Sequence, residues 1–348
     1  MLSHVVPYSA MTTSVGEKST QGRTQMRAVV ATTYGSPEVL HVDEVAKPVP
    51  DDDEVLVRVR AAIVGPPDSA AREGSPFPIR FFSGLRRPNA VPGDVFAGEI
   101  EAVGRDVVGF APGDAVFGTT APGSGAHAEY LCLPENGAVT IMPSNLTYDE
   151  ASAVCDGGLT AMAFVKDHAH VRPGDSVLVN GASGSVGTAA VQLATEFGAT
   201  VTGVCSTAKV ELVRSLGAET VIDYTRTDFT TTGATYDVIF DAVGTRSYPE
   251  CKASLNAGGR YLTTVPSVGI LLRMAWTQVV GDRRATFAAT GLSSKRTKRS
   301  HLAALRDLVE RGAFRPVIDR AYSLDDIADA HRYVDIGHKT GSVVVTME

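Results

Sequence analysis

The chain has 348 residues, 44% of them hydrophobic and 20% charged, with a formal net charge of −7. That length exceeds one ordinary core and predicts two domains, and the acidic balance supports neither a nucleic-acid partner nor a membrane-surface partner. No apolar run approaches the ~20 residues a bilayer span needs, and Cys132, Cys155, Cys205 and Cys251 are scattered without a CxxC or a close Cys/His cluster, which argues against disulfides and structural zinc and for a reducing cytoplasm.

Residues 1–25 are rich in Ser, Thr and Gly and lack a basic start followed by a long apolar stretch, which predicts a flexible extension and no signal peptide. From Met26 the texture changes. Segments 27–32, 55–61, 95–103, 115–118 and 128–133 are short and β-branched, with Gly and Pro between them. Short strands punctuated in this way predict a compact, barrel-like β domain over 26–150.

After Asp149 strands and helices alternate. Residues 176–180 read as a strand introduced by Pro173-Gly174-Asp175, and 186–197 as a helix ending at Gly198. Then come a strand at 200–205 and a helix at 209–216 closed by Gly217, a natural left-handed cap. Segments 221–223, 238–241 and 260–265 are further strands. The alternation predicts an α/β fold with a Rossmann, doubly wound parallel sheet over 151–287. In the tail, 299–311 and 324–334 read as amphipathic helices, the second capped by Ser323, and 342–346 as a strand. The basic run 295–299 reads as a solvated loop or helix start, in preference to a nucleic-acid patch.

The most informative stretch joins the strand at 176–180 to the next helix through Gly181, Ala182, Ser183, Gly184, Ser185, Val186 and Gly187. Small residues let a backbone approach a pyrophosphate, and a helix N-terminus offers unpaired amides with a partial positive charge. The strict GxGxxG pattern is not met, because Ala182 holds its first place with Gly181 just before it. A tight structural turn would use similar residues. The strand before, the helix after and a second strand ending at Cys205 together favour dinucleotide binding.

NAD sites usually place an acid at the end of that second strand, about 20 residues after the loop. Here the chain reads Val204-Cys205-Ser206-Thr207-Ala208-Lys209, with no acid before Glu211. A hydroxyl and a lysine attract a 2′-phosphate where a carboxylate repels it. Tyr224, after the third strand, could add a second hydroxyl. NADPH is therefore the expected cofactor, although Lys209 read alone also fits a solvated helix residue.

At this point the chain resembles the medium-chain dehydrogenase/reductase superfamily, and within it the zinc-independent quinone oxidoreductase branch related to zeta-crystallin. The resemblance runs from Met26 to the C-terminus. It rests on Met26-Arg-Ala-Val-Val30, Gly98-Glu-Ile-Glu-Ala-Val-Gly104, Pro112-Gly-Asp-Ala-Val-Phe117, Gly158-Leu-Thr-Ala161, the glycine loop, Leu216-Gly-Ala218, Ile222-Asp-Tyr224 and Lys339-Thr-Gly-Ser342. It implies a chaperonin-10-like (GroES-like) β-barrel catalytic domain, then the Rossmann domain, then a return of 288–348 to the first domain, with the active site between the two. It implies that Ser206, Lys209 and Tyr224 hold the 2′-phosphate and that Thr160 lies beside the nicotinamide. It assigns Val243, Val265 and Lys339 to the cofactor site as well. The branch is often oligomeric, which implies a homodimer.

Zinc-dependent relatives carry Gly-His-Glu where this chain has Gly93-Asp94-Val95, and their first cysteine ligand falls near Gly65. A tight zinc site needs three or four converging ligands, and the sequence does not assemble them. Without a Lewis acid, simple alcohol chemistry is harder and a conjugated carbonyl is easier, because hydride addition then spreads charge over an enolate or phenolate. The branch often has Asn at the position of Gly65, which this chain lacks. Thr160 is the polar candidate for catalysis, with helix packing as its competing role. Gly65, Phe77, Phe81, Phe82 and Trp276 are candidates to line a pocket for a flat apolar substrate, with ordinary packing or a dimer contact equally open. A zinc-free alcohol or aldehyde dehydrogenase and a catalytically quiet NADPH-binding interaction protein are the rival readings.

Overall fold

A computed structural model describes residues 24–88 and 91–347, apart from the side chains of Pro78 and Phe82. The expected extension over 1–25 lies outside the described residues except for its last two. The chain divides into two compact units, one up to Cys155 with Ser294–Arg306 and Ile318 onward, the other Asp156–Ser293 with Asp307–Val317.

The first unit opens with β1 (Gln25–Val30) antiparallel to β2 (His41–Ala46). Then follow β3 (Glu54–Val64), α1 (Pro66–Glu73), α2 (Arg80–Ser83), β4 (Val95–Val103), β5 (Ala115–Thr119), β6 (Tyr130–Pro134) and β7 (Ala138–Ile141). β3 pairs antiparallel with β4 and β6, β4 with β5, and β5 with β7. In β3 the valines Val55, Val57 and Val59 alternate inward, while Arg58 and Arg60 point away from the core, as a two-residue period requires. α3 (Tyr148–Met162) contains the division between the units.

The second unit is a six-stranded sheet with all pairs parallel, formed by β8 (Ser176–Asn180), β9 (Thr200–Cys205), β10 (Thr220–Asp223), β11 (Tyr236–Asp241), β12 (Leu255–Thr263) and β13 (Arg284–Phe287). Its order is β10-β9-β8-β11-β12-β13. α4 (Ser185–Glu196), α5 (Val210–Ser215), α6 (Tyr248–Cys251) and α7 (Val268–Val279) cross between strands. The order reverses between β8 and β11, and in open α/β sheets ligands bind beyond the strands' carboxyl ends at such a switch point. Leu178, Val204, Ile239 and Tyr261 are buried in one cluster at the centre of this unit.

The tail contributes α8 (Lys295–Glu310), β14 (Ile318–Ser323), α9 (Ile327–Asp335) and β15 (Ser342–Thr346). β15 pairs antiparallel with β3 and parallel with β14, so the end of the chain completes the first unit's sheet. Ser323 departs from its expected role. It precedes a 3-10 turn, Leu324–Asp326, and its hydroxyl donates to Asp326 Oδ2 at 2.6 Å, with no backbone amide capped.

Candidate dinucleotide site

β8 ends at Asn180, and Gly181 turns the chain with φ +78, a conformation that suits glycine. The amides of Gly181 and Ala182 donate to the Val204 carbonyl at 3.1 and 2.9 Å, which pins the turn against the end of β9. The Gly184 amide then donates to the Gly181 carbonyl at 3.1 Å, and Thr188 makes the first helical bond of α4 to Gly184 at 2.8 Å. A Cβ at Gly187 would lie 2.0 Å from the Gly181 carbonyl oxygen, so close packing fixes that residue as glycine. At Gly184 the nearest atom to such a Cβ is 3.7 Å away. Ala182 and Ser183 are buried, and Ser185 and Val186 are half-buried. The result is a bare turn at a helix N-terminus, a cradle of the kind that suits a phosphate.

A second loop closes over the first. Asp241 ends β11 and is fully buried. Its Oδ1 accepts from Asn180 Nδ2 and the Gly244 amide, both at 2.9 Å, and its Oδ2 accepts from the Arg246 amide at 2.9 Å. Asn180 also donates to the Thr245 hydroxyl at 2.9 Å. This network sets residues 242–246, and a Cβ on Gly181 would come within 2.5 Å of Val243 Cγ1. A Cβ on Gly244 would likewise meet Val265 Cγ2 at 2.5 Å. Val243 thus stands beside the cradle and Val265 beside Gly244 in the second loop, both partly exposed.

Ser206, Lys209 and Tyr224 are brought together. Cys205 and Asp223 are partners across the parallel pair β9–β10, so the residues after them leave at the same sheet end. The Lys209 amide donates to the Ser206 carbonyl at 2.9 Å, and the Tyr224 amide to the Cys205 carbonyl at 3.1 Å. An acid is also present at this end, which reading β9 alone did not find. Asp223 accepts from the hydroxyls of Thr207 at 2.5 Å and Thr225 at 2.7 Å, and Arg226 Nε lies 3.6 Å away. The Thr207 hydroxyl first, then Thr225, hold its carboxyl below the usual carboxylate range. The signal was Asp223 itself, placed beside Cys205 by sheet register and not by sequence distance.

Thr160 lies half-buried on α3, with its hydroxyl 3.4 Å from that of Thr290. Lys339 is in the first unit, where its Nζ donates to the Gly341 carbonyl at 2.6 Å. Gly65 precedes α1, and its amide donates to Asp68 Oδ2 at 2.8 Å. Phe77 and Phe81 meet edge to face with ring centres 6.0 Å apart, and both are exposed. Phe82 lies in α2, but its side chain is outside the described residues. Trp276 stands on α7 in the second unit, 59% exposed.

The basic run 295–299 is not all solvated. Lys298 is 5% exposed, and its Nζ donates to the Ala121 carbonyl at 2.7 Å. Burial lowers its pKa, while Asp94 and then Cys155 favour its charged form. A buried lysine therefore feels the charge of Asp94. Helical spacing could have found it. Lys298, His301, Leu302 and Leu305 share the buried face of α8. Among the described residues no group of three or more His, Cys, Asp and Glu side chains is placed to hold a metal ion.

Comparison with known proteins agrees with the fold. A family model described as alcohol dehydrogenase GroES-like domain matches residues 51–144, and one described as zinc-binding dehydrogenase matches 216–345. The chain is 31% identical over 335 residues to the quinone oxidoreductase of Pongo abelii, covering 94% of this chain and 99% of that protein. It is 30% identical over 338 residues to a chloroplastic NADPH-dependent alkenal/one oxidoreductase of Arabidopsis thaliana, covering 92% and 79%. Among solved structures, the quinone oxidoreductase from Coxiella burnetii superposes with a TM-score of 0.83 at 27% identity, covering 93% of this chain and all of that one. A GroES-like β unit followed by a doubly wound parallel sheet with a glycine cradle at its switch point defines a medium-chain dehydrogenase/reductase. Within that superfamily the chain belongs to the quinone oxidoreductase family, the zeta-crystallin-like branch, and it is an oxidoreductase of a family that uses a nicotinamide cofactor.

Proposed function

We propose that this chain is an NADPH-dependent reductase of quinones, enones or related conjugated carbonyl compounds, working without zinc. The observation that carries the cofactor choice is the convergence of Ser206, Lys209 and Tyr224 at one sheet end beside the bare glycine cradle. In this reading the pyrophosphate rests on the turn from Gly181 to Gly187 and the N-terminus of α4. Ser206, Lys209 and Tyr224 hold the 2′-phosphate. Asp223 opposes that phosphate, but its oxygens are already taken by Thr207 and Thr225. Lys209 and the exposed Arg226 supply more positive charge at this end than Asp223 removes.

The bound nicotinamide would supply the hydride. The protein's own tasks are orientation, shielding and support of the oxygen that gains charge. Val243 beside the cradle and Val265 beside Gly244 offer apolar surface, and Thr160 offers a hydroxyl within 3.4 Å of that of Thr290. Addition to a conjugated system delocalises the new charge, so a hydroxyl, an amide or water suffices where a saturated ketone would call for a stronger electrophile. The names of the relatives, quinone oxidoreductase and alkenal/one oxidoreductase, support that acceptor class.

One feature favours the catalytically quiet rival. Gly65 carries no side chain toward a cofactor, and its amide is committed to Asp68. Acceptor profiling separates the three readings. The proposal expects NADPH oxidation with quinones or enones, unaffected by a chelator. Stoichiometric zinc with ethanol-type activity, or tight NADPH binding with no turnover on any acceptor, overturns it.

A further inference from the structure

Two turns fold back onto one end of the parallel sheet. β9 and β10 run in register, with Cys205 beside Asp223. After β9 the Lys209 amide donates to the Ser206 carbonyl at 2.9 Å, and the chain curls into a 3-10 turn over Thr207–Lys209. After β10 the amides of Arg226 and Thr227 both donate to the Asp223 carbonyl, at 3.0 and 2.9 Å. An extended chain would carry Arg226 roughly 10 Å past the strand end, at about 3.3 Å per residue. The turn instead returns it to Asp223, whose Oδ2 lies 3.6 Å from Arg226 Nε.

Side chains lace the two turns together. The Thr207 hydroxyl donates to Asp223 Oδ2 at 2.5 Å and lies 3.2 Å from the hydroxyl of Thr225. The hydroxyl and amide of Thr225 both donate to Asp223 Oδ1, at 2.7 and 3.0 Å. Asp223 Oδ2 is thus shared by Thr207 and Arg226, which puts the guanidinium beside the turn that bears Ser206 and Lys209. The buried Cys205 thiol feels both turns. Burial first, then Asp223, push its pKa up to about 11, while Lys209 acts to lower it.

The Arg226 side chain is 75% exposed and that of Asp223 15%. An ion pair so open to water contributes little, so the arginine can turn to a stronger partner at small cost. A phosphate monoester is such a partner, because a guanidinium meets its oxygens through two parallel N–H donors. The balance of charge gives this turn its importance. Lys209 and Asp223 cancel formally, and only with Arg226 does this end of the sheet carry a net positive charge toward a phosphate. Resting on the NADPH reading, we propose that Arg226 decides the preference for a 2′-phosphorylated dinucleotide. Asp223 parks it in the free protein, and on binding it leaves Asp223 and closes on the 2′-phosphate held by Ser206, Lys209 and Tyr224. Asp223 is then a positioning residue, which keeps the guanidinium at the sheet end before the cofactor arrives.

The test is calorimetric titration of the full chain with 2′,5′-ADP and with 5′-AMP, which present the adenosine end with and without the 2′-phosphate. The parent is expected to bind 2′,5′-ADP more tightly. Arg226→Gln is expected to weaken 2′,5′-ADP about tenfold and to leave 5′-AMP unchanged. Its melting temperature should equal the parent's, since the side chain is exposed. Arg226→Lys keeps the charge and loses the fork, so it should recover part of the preference. If Arg226→Gln binds 2′,5′-ADP like the parent, the inference is overturned, and the NADPH reading stands where Lys209→Ala still loses the preference. Equal loss of both ligands in Arg226→Gln also overturns the inference, because the arginine then acts on the fold and not on the phosphate. A parent with no preference for 2′,5′-ADP overturns the NADPH reading and the inference with it.

Discussion

Asn180 Nδ2 donates to Asp241 Oδ1 at 2.9 Å, and this bond joins the carboxyl ends of the neighbouring parallel strands β8 and β11. It lies at the point where the strand order reverses. Asp241 meanwhile accepts from the amides of Gly244 and Arg246, so one buried carboxylate sets the loop that lays Val243 against Gly181. The cradle's shape thus depends on a residue some 60 positions away in sequence, as the ring of bonds around Asn180 and Asp241 shows.

Asp241→Ala leaves at least two buried or half-buried amides and the Asn180 amide without their acceptor. Unsatisfied groups cost about 1–3 kcal/mol each, so the variant should lose about 3 kcal/mol or more in urea unfolding. Dinucleotide affinity should fall with it. A loss under about 1 kcal/mol would show that the loop does not depend on this carboxylate.

Lys209→Ala should weaken NADPH selectively. A charge-assisted contact is worth ~1.5–3 kcal/mol, roughly ten- to a hundredfold in affinity. NADH should be nearly unaffected in the same titration. Equal loss for both cofactors would remove Lys209 from the 2′-phosphate.

Gly187→Ala should behave in the opposite way. Its Cβ would collide with the Gly181 carbonyl oxygen at 2.0 Å, so the turn must shift and both cofactors should bind more weakly by similar factors. Such overpacking costs about 1–3 kcal/mol. Unchanged affinity for either cofactor would contradict the cradle.

Gly65→Asn is expected to fold normally. The φ of Gly65 is −131, and the nearest atom to an added Cβ is Pro67 Cδ at 3.4 Å. Removing a glycine from a position open to other residues is worth about 0.4–1 kcal/mol of stability. If the absent asparagine weakens the nicotinamide end of the site, this variant should also raise the affinity for reduced cofactor, measured by fluorescence titration.

Stability should fall in acid because of two buried histidines in the first unit. His331 and His127 are both fully buried with ring centres 6.2 Å apart, and His331 Nδ1 lies 3.2 Å from Arg72 Nη1. Burial first, then the neighbouring His127 and Arg72, push the His331 pKa down to about 3. Burial also lowers that of His127. The unfolded chain, with His near 6.5, therefore binds more protons than the folded one below that pH. The contribution is fully present above about 6.5 and is lost as pH falls toward 3, on the order of 4 kcal/mol for His331. His331→Gln should flatten the stability profile between pH 6.5 and 4 in urea titrations. An unchanged slope would contradict it.

The sequence showed the doubly wound sheet because its strands are buried on both faces and separated by capped helices. It showed the glycine turn because small residues are demanded there by contact. It did not reveal α7, whose exposed face is as apolar as its buried one and so lacks an amphipathic signature. It hid Asp223 as a neighbour of Thr207, since only sheet register joins them. Lys298 stands in the helix start that the basic run predicts, but its spacing from Leu302 and Leu305 turns it onto the buried face of α8, which local charge does not show. The burial of Asp241 was likewise invisible, because a carboxylate becomes a core residue only when several amides converge on it.

The most direct measurement is the fate of the transferred hydrogen. NADPH carrying deuterium at the transferring position of C4 is incubated with the protein and an α,β-unsaturated ketone, and the product is examined by mass spectrometry and NMR. Deuterium on the β-carbon of a saturated ketone is the predicted result. Deuterium on the carbonyl carbon of an alcohol, or no transfer although NADPH binds, would contradict it.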